Sequence, residues 1–120
     1  MSKTVKISTD NKVTVVDVPW TVEGYENAVD ANCVEFVYTQ IMYDFFRYPI
    51  CLIVDESGLI KGKPFNKMAS ELYGFPVHGN YIAGDVIFGV RDGVDILPPE
   101  NVELLKFYIL DNFSYLVDVN

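Results

Sequence analysis

The sequence predicts a single α+β domain, a mainly antiparallel sheet of about five or six strands packed by two or three helices. Three observations carry this. The chain has 120 residues, 50% of them hydrophobic and 14% aromatic, which is enough for one core and too few for two. Residues 50–54 and 81–90 are apolar on both faces, as strands covered from both sides are. Between them, Asn66 and Gly74 bracket a short pattern with helical spacing.

The remaining elements follow in order. Val5-Lys6-Ile7-Ser8 and Val13-Thr14-Val15-Val16-Asp17-Val18 flank Asp10-Asn11, a pair that tolerates left-handed backbone. A β-hairpin is expected, ended by Pro19-Trp20. Thr21 suits the cap of a helix running to Ala28, with Glu23 and Glu26 near its positive end, although Gly24 weakens it. From Cys33 the chain is strand-like, with Val34, Phe36 and Tyr38 on one face and Glu35 and Thr39 on the other. Residues 42–49 are unusual in crowding four aromatics, Tyr43, Phe45, Phe46 and Tyr48, around Arg47.

Glu56-Ser57-Gly58 is a turn. Asn66 is placed to cap a helix over residues 67–73, ended by Gly74, with Met68, Ala69, Leu72 and Tyr73 inward. Residues 75–80 read as a loop and Arg91-Asp92-Gly93 as a turn. Pro98-Pro99 suits the first turn of a last helix ending near Asn112, with Glu100 and Glu103 at its start. Its expected core positions are Leu104, Leu105, Tyr108 and Ile109. Residues 113–119 read as a final strand or a tail.

A net charge of −8 argues against a nucleic-acid backbone or an anionic membrane as partner, since both need clustered lysine and arginine. The acidic balance serves solubility, a basic partner protein or mimicry of DNA. No stretch nears the roughly 20 apolar residues of a membrane span. Met1-Ser2-Lys3-Thr4 leads into alternating residues and not a signal peptide, so a cytoplasmic protein is expected. Cys33 and Cys51 lie in apolar runs without CxxC spacing and read as buried free thiols.

Chemistry-bearing residues are sparse. Asp55, Glu56 and Asp85 suit metal binding or acid–base work, and equally the solvated ends of strands. His78 is the only histidine, so a histidine metal cluster or a serine triad lacks partners. Gly58, Gly62 and Gly84 form no phosphate loop. No catalytic residue, metal or cofactor is assigned. Binding is better served. Asn66, His78, Asn80 and Tyr81 have the polar character of a pocket lining, although capping alone accounts for Asn66. Tyr43, Phe45, Phe46, Arg47 and Tyr48 suit a protein interface or stacking on a base, or else core filling.

Residues 53–59, Pro64-Phe65-Asn66, Leu72-Tyr73 and residues 82–87 resemble a family of small uncharacterised proteins of bacteriophages, plasmids and gut bacteria. In that family a strand ends in Asp-Glu-x-Gly, an Asn follows a Pro, and a Gly-Asp or Gly-Thr step opens the next apolar strand. Val34-Glu35-Phe36-Val37 also fits. The match spans roughly residues 20 to 110, and the chain departs from it in a longer connection at 38–49 and an added segment at 73–80. The resemblance implies a mobile-element accessory protein and supplies no catalytic residue. The expected function is binding without catalysis, in counter-defence. A compact oligomer would sequester a small nucleotide-like signal or block a host protein. The alternative is an inhibitor whose acidic surface mimics DNA.

Overall fold

Alternating side chains on two central strands divide the interior into two cores. The computed structural model describes residues 1–75, 77 and 79–117. Its elements are β1 (Ser2–Ile7), β2 (Val13–Val18), α1 (Val22–Val29), β3 (Val34–Val37), α2 (Gln40–Phe46), β4 (Ile50–Asp55), α3 (Lys67–Tyr73), β5 (Val86–Asp92), β6 (Asp95–Leu97) and α4 (Val102–Asn112). The strands form one six-stranded sheet in the order β2-β1-β5-β4-β3, with β6 also paired to β5. Every pairing is antiparallel. Along β5, β4 occupies one edge, while β1 (at Val86 and Ile87) and β6 (at Val90 to Asp92) share the other.

β4 is buried at every position, and successive side chains leave it on opposite sides. Ile50, Leu52 and Val54 join Val86, Phe88 and Val90 of β5 in a large core closed by Met42 of α2, Met68 and Leu72 of α3, and Ile109 of α4. Ile53 and Ile87 point the other way, against Tyr25 and Val29 of α1. Each fully buried side chain of this size contributes about 1.5–3 kcal/mol of transfer free energy. The α+β class is therefore as expected, with four helices.

Several boundaries differ from expectation. The aromatic segment opens as helix α2, capped by the Thr39 side chain, which accepts from Met42 N–H. β5 begins at Val86 because Gly84 sits at φ 90°, a conformation closed to most side chains, and breaks the apolar run after Ala83. β6 continues past the Gly93 turn as a short hairpin strand. Pro98-Pro99 precedes α4 and does not open it, since Asn101 is the cap and accepts from Leu104 N–H at 3.1 Å. Glu103, not Glu100, lies in the first turn. Residues 113–117 turn and form no strand. Leu104 and Tyr108 are 61% and 40% exposed, so neither is a core residue; Val102, Leu105, Ile109 and Phe113 make the inward stripe. Cys51 is buried, but Cys33 lies just before β3 and is exposed.

Gly24 is a poor helix former, yet its place in α1 admits no side chain. A Cβ there would sit 1.9 Å from the Pro19 carbonyl oxygen, so only glycine lets α1 start this close to β2. Thr21 caps as expected, accepting from Gly24 N–H at 3.0 Å.

Asn66 does more than cap α3. Its Oδ1 accepts from Ala69 N–H at 3.1 Å, while Nδ2 donates to the carbonyls of Ile7 (3.0 Å) and Gly84 (2.9 Å). The residue is fully buried. Asn66→Ala removes the cap and two donations to buried carbonyls, so we expect a loss of about 2–4 kcal/mol, read as a lower urea midpoint. Asn66→Asp keeps the cap acceptor but not the donor, and is expected to restore less than half of that loss. Near-wild-type stability of either variant would remove Asn66 from its central role.

Candidate functional site

An open groove lies between the C-terminal end of α2 and α4. Arg47 ends α2 in a left-handed conformation (φ 58°), its N–H returning to the Tyr43 carbonyl at 2.7 Å. The chain then turns through Pro49 into β4. Phe46 points inward, 5.9 Å from the ring of Phe88, and Phe45 meets Tyr108 and Phe113 at 5.0 and 5.7 Å. The Tyr108 hydroxyl donates to the Phe45 carbonyl at 2.7 Å, fastening α4 to α2. Above this floor is a groove of about 580 Å³, with Phe46, Arg47 and Tyr48 on one side and Leu104, Phe107 and Tyr108 on the other. Leu104 and Phe107 are 61% and 65% exposed.

A second, smaller recess of about 130 Å³ lies between the β3–β4 end of the sheet and the far end of α3. Glu35 and Val37 of β3, Glu56, Tyr73, Asn80 and Tyr81 line it. The Tyr81 ring also meets Phe65 and Phe75 at 4.9 and 6.2 Å, making a half-exposed aromatic trio beside the opening.

The three suspected carboxylates are held by different partners. Asp55 is buried and accepts from Ser57 N–H at 2.9 Å, Lys61 Nζ at 3.0 Å and Lys63 Nζ at 2.7 Å. Burial alone would raise its pKa, but the hydrogen bonds from Lys63, Ser57 and Lys61 outweigh it and hold the carboxyl below the usual range. Lys63 also donates to the carbonyls of Val29 (3.2 Å) and Asp30 (2.6 Å), so the same ammonium closes the C-terminal end of α1. Glu56 faces Cys33, whose thiol pKa it raises by hydrogen bonding first and by charge second. Asp85 accepts from Thr9 N–H at 3.1 Å and lies 3.5 Å from Lys6 Nζ. Burial pushes the Cys51 thiol up to about 11, which keeps it protonated and poorly nucleophilic. Among the described residues no three His, Cys, Asp or Glu side chains converge as a metal site.

The expected binding residues thus separate. Phe46, Arg47 and Tyr48 share the groove, and Asn80 and Tyr81 share the recess. Phe45 fills the core side of α2, and Tyr43 is half-exposed on α2 outside both linings. Asn66 is structural. His78 lies outside the described residues. Missing from the expected set were Leu104 and Phe107. The available signal was that α4 is apolar nearly all round, which a single inward stripe does not require.

The chain belongs to a family described as a domain of unknown function, DUF3846, whose model matches residues 2–111. No curated protein and no solved structure matches it. No helix among the described residues is long and apolar enough to cross a membrane.

Because the folded pKa of Asp55 lies below its unfolded value of about 3.9, its ion pairs stabilise fully above that pH and fade as pH falls through the folded value. Asp55→Asn is expected to cost on the order of 3 kcal/mol at neutral pH by leaving Lys63 and Lys61 unpaired. The gap from wild type should narrow at acidic pH, below about 4. Urea unfolding at neutral and acidic pH checks this, and a gap that stays constant would refute it.

Proposed function

We propose that this protein acts by binding, as a mobile-element accessory protein that blocks a host protein in counter-defence, and that the α2–α4 groove receives the host protein's apolar anchor. One observation carries this reading. Leu104 and Phe107 stand largely exposed beside Tyr48 and Tyr108, so apolar side chains line an open groove where solvated ones would cost nothing. Its volume of about 580 Å³ falls within the range of roughly 300–1,000 Å³ typical of ligand pockets. Its helical walls suit an amphipathic helix that inserts aliphatic or aromatic anchors. The net charge of −8 favours a basic partner and speeds its encounter.

Sequestration of a nucleotide-like signal is the second reading, supported by the Tyr48, Phe107 and Tyr108 rings beside Arg47. One guanidinium on a strongly acidic molecule is a weak phosphate site, so the protein partner is preferred. The DNA-mimic alternative has less support. Lysines lie within 3.6 Å of Asp10, Asp17 and Asp85 and interrupt the acidic surface.

Leu104→Glu with Phe107→Glu should leave the circular dichroism spectrum and melting unchanged, because both side chains face solvent. It should weaken the host-protein complex by about tenfold or more, the size of a lost hot spot. Affinity capture with wild type and variant, quantified on each captured protein, checks this. Calorimetry against cyclic nucleotides and adenosine-diphosphate-ribose derivatives should be flat. Nucleotide binding abolished by Arg47→Ala would move the reading to sequestration, and host-protein capture indifferent to the groove variant would end the groove reading.

A further inference from the structure

β3 is the terminal strand of the sheet on one side, so the outward backbone N–H and C=O groups along one edge have no neighbouring strand. The opposite edge differs. β2 lies under α4, and its Asp17 is paired with Lys3 at 3.1 Å. Among the described residues no strand pairs with the outer edge of β3, and a recess lies beside it. Glu35 and Val37 share the α3-side face of the sheet with Val54, since Glu35 pairs directly with Val54, and all three line the recess of about 130 Å³. On the other face Phe36 and Tyr38 are 38% and 52% exposed.

Among the described residues the recess is lined by carboxylates and by no lysine or arginine. Glu35, Asp55 and Glu56 contribute them, with Asp55 already paired. The nearest lysines in sequence, Lys61 and Lys63, are committed to Asp55. Tyr73 and Tyr81 add ring surface suited to the aliphatic stem and charged head of a basic side chain. The volume is well below the roughly 300 Å³ of the smallest ordinary small-molecule pockets and suits one long side chain.

We propose that the outer edge of β3 docks an extended segment of a partner protein carrying lysine or arginine at alternate positions. The segment adds a strand to the sheet through main-chain hydrogen bonds. Because strand side chains alternate, every second one faces the recess, where the basic group meets Glu35 beside Glu56. The intervening ones lie over Phe36 and Tyr38 and are apolar. This site is separate from the α2–α4 groove and does not depend on it.

A blocked hexapeptide alternating lysine with valine is the probe, with its glutamate-for-lysine counterpart as control, both titrated into the full-length protein and followed by amide NMR. The lysine peptide is expected to shift the amides of Val34 to Tyr38, slow exchange along β3 and bind more weakly as salt rises. Glu35→Gln should weaken it about threefold to fivefold, the size of a partly exposed ion pair. Glu35→Lys should reverse the preference toward the glutamate peptide, a change that no structural role of this exposed residue produces. Phe107→Glu should leave the binding unchanged, which separates this site from the groove. The proposal is overturned by shifts centred on β2 or α4, by equal affinity for the two peptides, or by no saturable shift at millimolar peptide.

Discussion

The buried amide of Asn66 is the interaction on which the rest of the arrangement depends. β1 meets β5 at only two residue pairs, Lys6 with Ile87 and Ile7 with Val86. Just beyond that point Gly84 turns away in a left-handed conformation and the ladder ends. Asn66 Nδ2 donates to the Ile7 and Gly84 carbonyls there, while Oδ1 starts α3. A buried carbonyl without a donor is expensive, so one side chain decides whether the β1–β2 hairpin, the approach to β5 and the start of α3 can coexist. Ser70 extends the same knot. Its hydroxyl donates to the Asn66 carbonyl at 2.6 Å and accepts from Ile82 N–H at 2.8 Å.

On the opposite face Asp55 and Lys63 do comparable work with charge. Desolvating a carboxylate is costly, and the hydrogen bonds from Lys63, Ser57 and Lys61 outweigh that cost. The consequence is positional. Lys63 reaches the end of α1 and the end of β4 at once, so the loop between β4 and α3 is drawn against the α1 face. The acidic turn that resembles an active site in the sequence is therefore a tether between a helix and a strand.

What could be read from the sequence follows the range of the forces involved. The hairpin, the Thr21 and Asn66 caps and the alternation along β4 were legible because each depends on neighbours in the chain. Helix α2 was not, because its aromatic residues have modest helix propensity and long-range contacts hold it, among them Tyr108 Oη to the Phe45 carbonyl. The break at Gly84 was legible only in the Gly-Asp step of the family resemblance, because the apolar run around it reads as one strand. Half of the groove was legible, since the density of aromatics around Arg47 was itself unusual. Its other half was not. Leu104 reads as a core residue until the sheet selects Val102, Leu105 and Ile109 as the inward stripe, and Phe107 then stands exposed one turn on.

The groove and the recess are joined by a single strut. The Thr39 hydroxyl accepts from Met42 N–H, starting α2, and donates to the Tyr73 carbonyl at 2.9 Å, at the last residue of α3. Tyr73 lines the recess, and Phe46 at the other end of α2 lines the groove. The long connection before β4 and the segment after α3 thus meet at one hydroxyl, and α2 spans from one surface to the other. Seven residues of helix fixed by a cap, an aromatic floor and a left-handed arginine form a short, stiff element. Both ends are tied down, and so two open surfaces flank one short helix: the core needs α2 through Met42, Phe45 and Phe46, leaving the ends of the helix to shape what lies beside them.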